Sequence, residues 1–225
     1  MNASRTVWLF DLDNTLHDAS LASMPHINRG MTEFIVRELG LGEPEADALR
    51  RHYWLRYGAT LLGLVRHHGV RAAHFLHDTH LLPGLEARVR GHAHDLHALR
   101  RLRGRRYLLT NAPAAYALRV LEALGLAAAF DGVIAIDQMR MFGTLRPKPD
   151  ARMLRWVAAG LGVPPARCVL VEDTLEHLAS ARRVGMHTVW MQRWLGVAHP
   201  GAARPCRRPA YVDRRVRRLA ALHDF

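Results

Sequence analysis

Two aspartates stand two residues apart in Phe10-Asp11-Leu12-Asp13-Asn14-Thr15-Leu16, directly after the apolar run Val7-Trp8-Leu9-Phe10. Like charges this close raise each other's pKa unless a cation or a shared proton intervenes, so the pair calls for a metal ion or a proton-transfer role. Three more segments place polar groups close to apolar runs. Thr110-Asn111 follows Arg106 to Leu109, Glu172-Asp173-Thr174 follows Cys168 to Val171, and Lys148 lies in the rigid turn Arg146-Pro147-Lys148-Pro149-Asp150. Brought together, these groups would supply the parts of a phosphoryl-transfer site. One carboxylate attacks phosphorus and gives an aspartyl-phosphate. A hard divalent cation, Mg²⁺, bridges carboxylates and a phosphate oxygen. A lysine and a hydroxyl stabilise the remaining oxygens, while a second acid protonates the leaving oxygen and then activates water. Lys148 is the only lysine among the 32 lysine and arginine residues. An ammonium is a compact point charge suited to a small cavity, where a guanidinium is a wide planar fork.

The elements that must position these groups alternate after residue 100. Short apolar strands are predicted at Arg106 to Thr110, Gly132 to Ile136, Cys168 to Val171 and His187 to Met191, with a short last strand at Ala210 to Val212. Helices are predicted at Ala114 to Leu124, Asp150 to Gly160, Leu175 to Val184 and Arg214 to Leu222. This alternation implies an α/β fold: a Rossmann-like parallel sheet with helices on both faces. In such a sheet the carboxyl ends of the strands share one edge, where ligands bind. Residues 18–98 differ, with helical periodicities (Ile27 to Leu39, Glu45 to Tyr57, Leu85 to Leu99) and no convincing strand. They read as an α-helical subdomain inserted between the first two sheet strands, so that 1–17 and 99–225 form the core domain.

Composition narrows the function classes. No apolar stretch reaches the roughly 18 residues of a membrane span, and the opening residues carry no secretory pattern. With Cys168 and Cys206 as the only cysteines, a reducing cytoplasm is the expected compartment. The formal charge of +12 rests on scattered arginines without interleaved aromatics, so a nucleic-acid platform is not expected. The densest basic stretch, Arg204 to Arg218, is the one feature that would suit a non-enzymatic binding module, but such a module has no use for a carboxylate pair. The histidine groups His74/His77/His80 and His92/His94/His97 read as polar residues of the insert rather than a zinc site. Trp54 and Tyr57 either stack a base or pack in the insert's core. Thr15 serves either phosphate or a backbone cap, and His17 lines the entrance. Monomer and homodimer are both open.

With all four segments in order, the chain resembles the haloacid-dehalogenase-like hydrolases over nearly its whole length. The resemblance implies Asp11 as nucleophile and metal ligand, and Asp13 as general acid/base lending its carbonyl to the metal. Thr110 would bind the phosphoryl group with Asn111 beside it, Lys148 would neutralise nucleophile and phosphate, Asp173 would ligate Mg²⁺, and Glu172 would ligate it directly or through water. The helical insert would be the cap. Asp11 to His17, Tyr57 to Leu64 and Phe75 to Asp78 resemble the pyrimidine 5′-nucleotidase branch, which implies a nucleoside monophosphate such as UMP or CMP as substrate. A dehalogenase would not need the second acid, Asp13. A phosphosugar phosphatase or mutase of the same superfamily would use the same core residues.

Overall fold

A computed structural model of the chain describes residues 6–194 and 207–224. The chain divides into two compact units, Met1–Ala22 together with Glu86–Phe225, and Ser23–Leu85.

The first unit is built on a six-stranded, wholly parallel sheet with helices on both faces. Its strands are β1 (Val7–Phe10), β2 (Arg105–Leu109), β3 (Gly132–Ile134), β6 (Cys168–Glu172), β7 (His187–Met191) and β8 (Arg214–Val216), ordered β3-β2-β1-β6-β7-β8. A separate antiparallel hairpin, β4 (Arg140–Met141) with β5 (Thr144–Leu145), was not apparent from the sequence because each strand is two residues long. The central strands β1 and β6 are buried at every position, as their continuous apolar runs require. Helices α9 (Ala151–Gly160) and α10 (Leu175–Arg183) contribute Met153, Leu154, Val157, Leu178 and Ala181 to the core on the face made by Val7, Leu9, Cys168 and Leu170. Phe10 looks the other way, edge-on to Phe130 at 5.9 Å. The strand order reverses at β1, so its carboxyl end is the topological switch point.

The C-terminal region departs from expectation. Arg214–Val216 is a strand rather than the start of a helix, and only a 3₁₀ stretch, Leu219–Asp224, follows. The Asp213 carboxylate accepts the Thr188 N–H at 2.9 Å, and Thr188 Oγ1 donates to the Tyr211 carbonyl at 2.7 Å. These bonds align the chain with β7 before a helix can begin. Part of the arginine-rich stretch, including Arg204, and Cys206 lie outside the described residues.

The second unit holds α2 (Met24–Leu39), α3 (Glu43–Tyr57), α4 (Thr60–His68) and α5 (Ala72–His80) around Ile27, Phe34, Ile35, Leu61, Leu64 and Phe75. A Cβ on Gly63 would come within 2.1 Å of the Tyr53 ring, so α3 and α4 approach closely only because that position is glycine. Trp54 is 53% exposed rather than in the core, and the Tyr57 hydroxyl pairs with His67 Nε2 at 2.6 Å. The single helix predicted over Leu85 to Leu99 is two, α6 (Leu85–Arg88) and α7 (Ala93–Arg101). The break falls at Gly91, where a Cβ would meet Leu124 at 2.8 Å. Helix α7 belongs with the sheet unit: Asp95 accepts the Leu219 N–H at 2.8 Å and pairs with Arg193 at 2.7 Å. No helix among the described residues is long and apolar enough to cross a membrane.

Candidate active site

The register of the central strands decides what meets at the sheet edge. Phe10 lies opposite Leu108 on one side and Val171 on the other, so the residues that follow each strand come together. The Asp11 N–H donates to the Val171 carbonyl at 2.9 Å, and the Thr110 N–H to that of Ile134 at 3.0 Å. Each prolongs a ladder by one residue before the chain turns away. After Asp11 the chain makes a single turn, with the Leu16 N–H on the Leu12 carbonyl at 2.9 Å and Asn14 at φ 58°. Asparagine tolerates that left-handed conformation better than most residues.

Lys148 is the hub. It is 1% exposed, and its ammonium lies 2.6 Å from Asp11 Oδ1 and 2.7 Å from Glu172 Oε2. Its loop is held from three directions. The Asn111 side chain donates to the Lys148 carbonyl and accepts its N–H, both at 2.9 Å. Ser180 Oγ donates to the Pro149 carbonyl at 2.5 Å. Asp150 caps α9, accepting the Arg152 N–H at 2.7 Å, and pairs with Arg146 at 2.9 Å. A flexible side chain is thereby fixed at its base and at its tip.

The electrostatics follow from three carboxylates around one ammonium. Ligand oxygens of Asp11, Glu172 and Asp173 all lie within 4.8 Å of one another. Burial, reinforced by Glu172 and opposed by Lys148, pushes Asp11 up to about 6. Burial, with Glu172 and Asp11 beside it, pushes Asp173 well above the carboxylate range. Burial also works against Glu172, but Lys148 and the adjacent His177 overcome it and hold that carboxyl well below its usual range. Lys148 is likewise raised: its two carboxylate partners outweigh the cost of burial. The cluster therefore has one carboxylate neutralised by protein and two that are not. An all-oxygen donor set with uncompensated negative charge fits a hard divalent cation.

This charge imbalance predicts a pH-dependent response to metal. Asp11 holds its proton more tightly in the folded state, near 6, than at its ordinary 3.8. Ionising it therefore removes stability as pH rises through that window, and the loss persists above it. A cation on the cluster reverses that loss only where the carboxylates are ionised. Added Mg²⁺ is expected to raise Tm by several degrees at about pH 8 and to leave it nearly unchanged at about pH 5. Thermal melts with Mg²⁺ and with EDTA at the two pH values check this.

Asp11, Glu172, Asp173 and Lys148 come together, and several other residues take unexpected parts. Thr15 neither caps backbone nor stands free: its hydroxyl donates to Asp11 Oδ2 at 3.2 Å. Asn111 does not sit ready for substrate, because both ends of its amide are spent on the Lys148 backbone. His17 does not line an entrance. It is 0% exposed, and its Nε2 meets Asp13 Oδ1 at 3.0 Å, drawn inward by the turn that bridges Asp13 to His17. Thr110 is buried and its Oγ accepts the Ala112 N–H at 3.0 Å, a contact that leaves its O–H to donate. Glu172 Oε1 accepts the Asp173 and Thr174 N–H groups at 3.2 Å, and Oε2 meets Lys148 and His177, so this side chain is heavily committed within the protein.

Three residues were not foreseen: Tyr116, whose hydroxyl donates to Asp13 Oδ1 at 2.6 Å; His177, 3.0 Å from Glu172; and Trp190, whose indole donates to the Asp173 carbonyl at 2.9 Å. Tyr116 and His177 both lie in the first turn of a helix that follows a polar strand end, which is the signal that would have found them.

Residues 6–185 match the family model described as haloacid dehalogenase-like hydrolase. The chain is 25% identical over 203 residues to phosphate metabolism protein 8 of Saccharomyces cerevisiae, covering 81% of this chain and 60% of that protein. It is 27% identical over 196 residues to validoxylamine A 7′-phosphate phosphatase of Streptomyces hygroscopicus, covering 81% of this chain and 84% of the other. Its fold is similar to the crystal structure of a HAD phosphatase from Thermococcus onnurineus, with a TM-score of 0.63 and 22% identity over 97% of this chain and 96% of that one.

Proposed function

The chain belongs to the haloacid dehalogenase-like hydrolases, and from that premise we propose that it is a Mg²⁺-dependent phosphomonoester hydrolase acting on nucleoside 5′-monophosphates in the cytoplasm. The observation that carries the proposal is the Lys148 ammonium between Asp11 and Glu172, with Asp173 alongside, at the switch point of the sheet. In this reading Asp11 attacks phosphorus and forms the aspartyl-phosphate. Asp13 gives a proton to the departing ester oxygen and then takes one from the hydrolytic water. Lys148 and the Thr110 hydroxyl stabilise charge on the phosphoryl oxygens, and Asn111 and Ser180 hold Lys148 in place. Asp11, Asp173 and the Asp13 carbonyl would hold the metal, with Glu172 ligating it directly or through water. When bound, Mg²⁺ withdraws charge from the phosphate. The helical unit Ser23–Leu85 takes the part of the cap and selects the substrate.

A relative named as a phosphatase supports the reaction type. The nucleotide assignment rests on Asp11 to His17, Tyr57 to Leu64 and Phe75 to Asp78. Phosphate release from p-nitrophenyl phosphate, with Mg²⁺ and with EDTA, followed by a panel of UMP, CMP, purine monophosphates and sugar phosphates, tests both parts. Metal-dependent release with preference for UMP and CMP is expected. Metal-independent release, or none from any ester, would overturn the reaction; preference for a sugar phosphate would overturn the substrate alone.

A further inference from the structure

Asp13 has two carboxylate oxygens, and the protein treats them unequally. Among the described residues, Tyr116 Oη–H at 2.6 Å and His17 Nε2 at 3.0 Å both meet Oδ1. The two partners come from separated parts of the chain: Tyr116 from the first turn of α8 (Ala114–Ala123) after β2, and His17 from the turn after β1. Both are buried, at 1% and 0% exposure, while the Asp13 side chain keeps 18%.

His17 also bears a structural cost. Its Nδ1 is buried without a hydrogen-bond partner. A proton on Nε2 serves the Asp13 contact and leaves only a lone pair at Nδ1. Even so, a buried unsatisfied ring nitrogen opposes folding, and an apolar residue would avoid it. Among the described residues, the contact to Asp13 is the hydrogen bond this imidazole makes that an apolar side chain could not.

We infer that Tyr116 and His17 are positioning residues that hold Asp13 by Oδ1, so that Oδ2 is the atom that exchanges the proton during phosphoryl transfer. Two donors on one oxygen stop the carboxyl group from rotating and occupy the lone pairs on which its proton would otherwise rest. Oδ2 is then the oxygen left open to exchange a proton. In the first step the bond from Asp11 to phosphorus forms, the phosphorus–ester oxygen bond breaks, and the Oδ2 proton goes to the leaving alkoxide. In the second step Oδ2 takes a proton from water as water attacks the aspartyl-phosphate, which returns both aspartates to their starting state. The inference rests on the phosphatase reading above.

Tyr116→Phe tests it, since it removes one oxygen and keeps the ring. The readout is kcat/KM, which reports transfer to Asp11, measured with p-nitrophenyl phosphate and with an alkyl phosphate such as UMP. The alkyl leaving group needs the proton and nitrophenolate hardly does. A loss of about tenfold or more for the alkyl ester, against about threefold or less for p-nitrophenyl phosphate, is expected. Equal losses, or no loss for either ester, would overturn the inference. A wild-type protein that releases phosphate from no ester would instead remove the phosphatase reading beneath it. If Tyr116→Phe does not fold, His17→Gln, which keeps an N–H donor, compared with His17→Leu gives the same test. The Gln variant should keep the alkyl-ester rate better than the Leu variant, and equal rates would count against the inference.

Discussion

Asp11→Asn is expected to lower kcat by more than about a thousandfold while leaving fold and substrate binding largely intact. The amide has nearly the shape of the carboxylate and still accepts a hydrogen bond from Lys148 Nζ, 2.6 Å away in the wild-type protein. It also removes one of three clustered acids, the one whose ionisation is resisted up to about pH 6, so the loss of an ion pair is partly offset by relief of like-charge repulsion. What disappears is the group proposed to attack phosphorus. Rapid mixing with labelled substrate followed by an acid quench should trap label on the wild-type chain and none on the variant. A variant retaining more than about a tenth of wild-type kcat, roughly 1.4 kcal/mol of barrier, would show that Asp11 does not attack phosphorus.

Lys148→Met should have the largest combined effect. It leaves Asp11 and Glu172 facing each other without their shared cation, and removing one member of a buried charge network costs about 3–5 kcal/mol. Turnover should fall by about a hundredfold or more, because charge on the transferring group loses its fixed counter-charge. Lys148→Arg should restore little of either, since the guanidinium fork does not fit a slot built for an ammonium and 1% exposed. The decisive measurement is a double-mutant cycle by urea unfolding. Adding Glu172→Gln to Lys148→Met should recover a large part of the lost stability, as it removes the carboxylate left unpaired. Strictly additive losses would mean that the Lys148–Glu172 pair, 2.7 Å apart, is not coupled.

The residues that gather at the sheet edge were legible in the sequence because the ends of β1, β2 and β6 are marked by an abrupt change from apolar to acidic or hydroxylic residues. A lone lysine in an arginine-rich chain was equally conspicuous. The parallel sheet was legible for the same reason: β1 and β6 are short, uninterrupted apolar runs. What stayed hidden was everything set by side-chain hydrogen bonds between separated segments. Nothing local in Asn111 shows that its amide will be spent on the Lys148 backbone. Nothing in His17 shows that the turn will fold it inward onto Asp13. The short last strand, expected at Ala210 to Val212, lies instead at Arg214–Val216, where the periodicity of Arg214 to Leu222 suits a helix; Thr188 and Asp213, anchored through β7, override it. The two-residue hairpin strands fall below the length at which alternation carries information.

The placement of β1 between β2 and β6 bears on how the chain acquires its fold. Val7 pairs with Cys168, so β1 waits until β6 has been synthesised before it is covered on that edge. Contacts of such long sequence separation carry a loop-closure entropy cost that slows folding. During synthesis the run Val7–Phe10 is therefore an exposed apolar strand with an unpaired edge, the kind of segment that invites association between unfinished chains. Asp11, Lys148 and Glu172 meet only when that strand is finally enclosed. A nascent chain stopped before β6 already has Asp11, Thr15 and Lys148 but lacks Glu172 and Asp173, so the carboxylate cluster is complete only once β6 has been made.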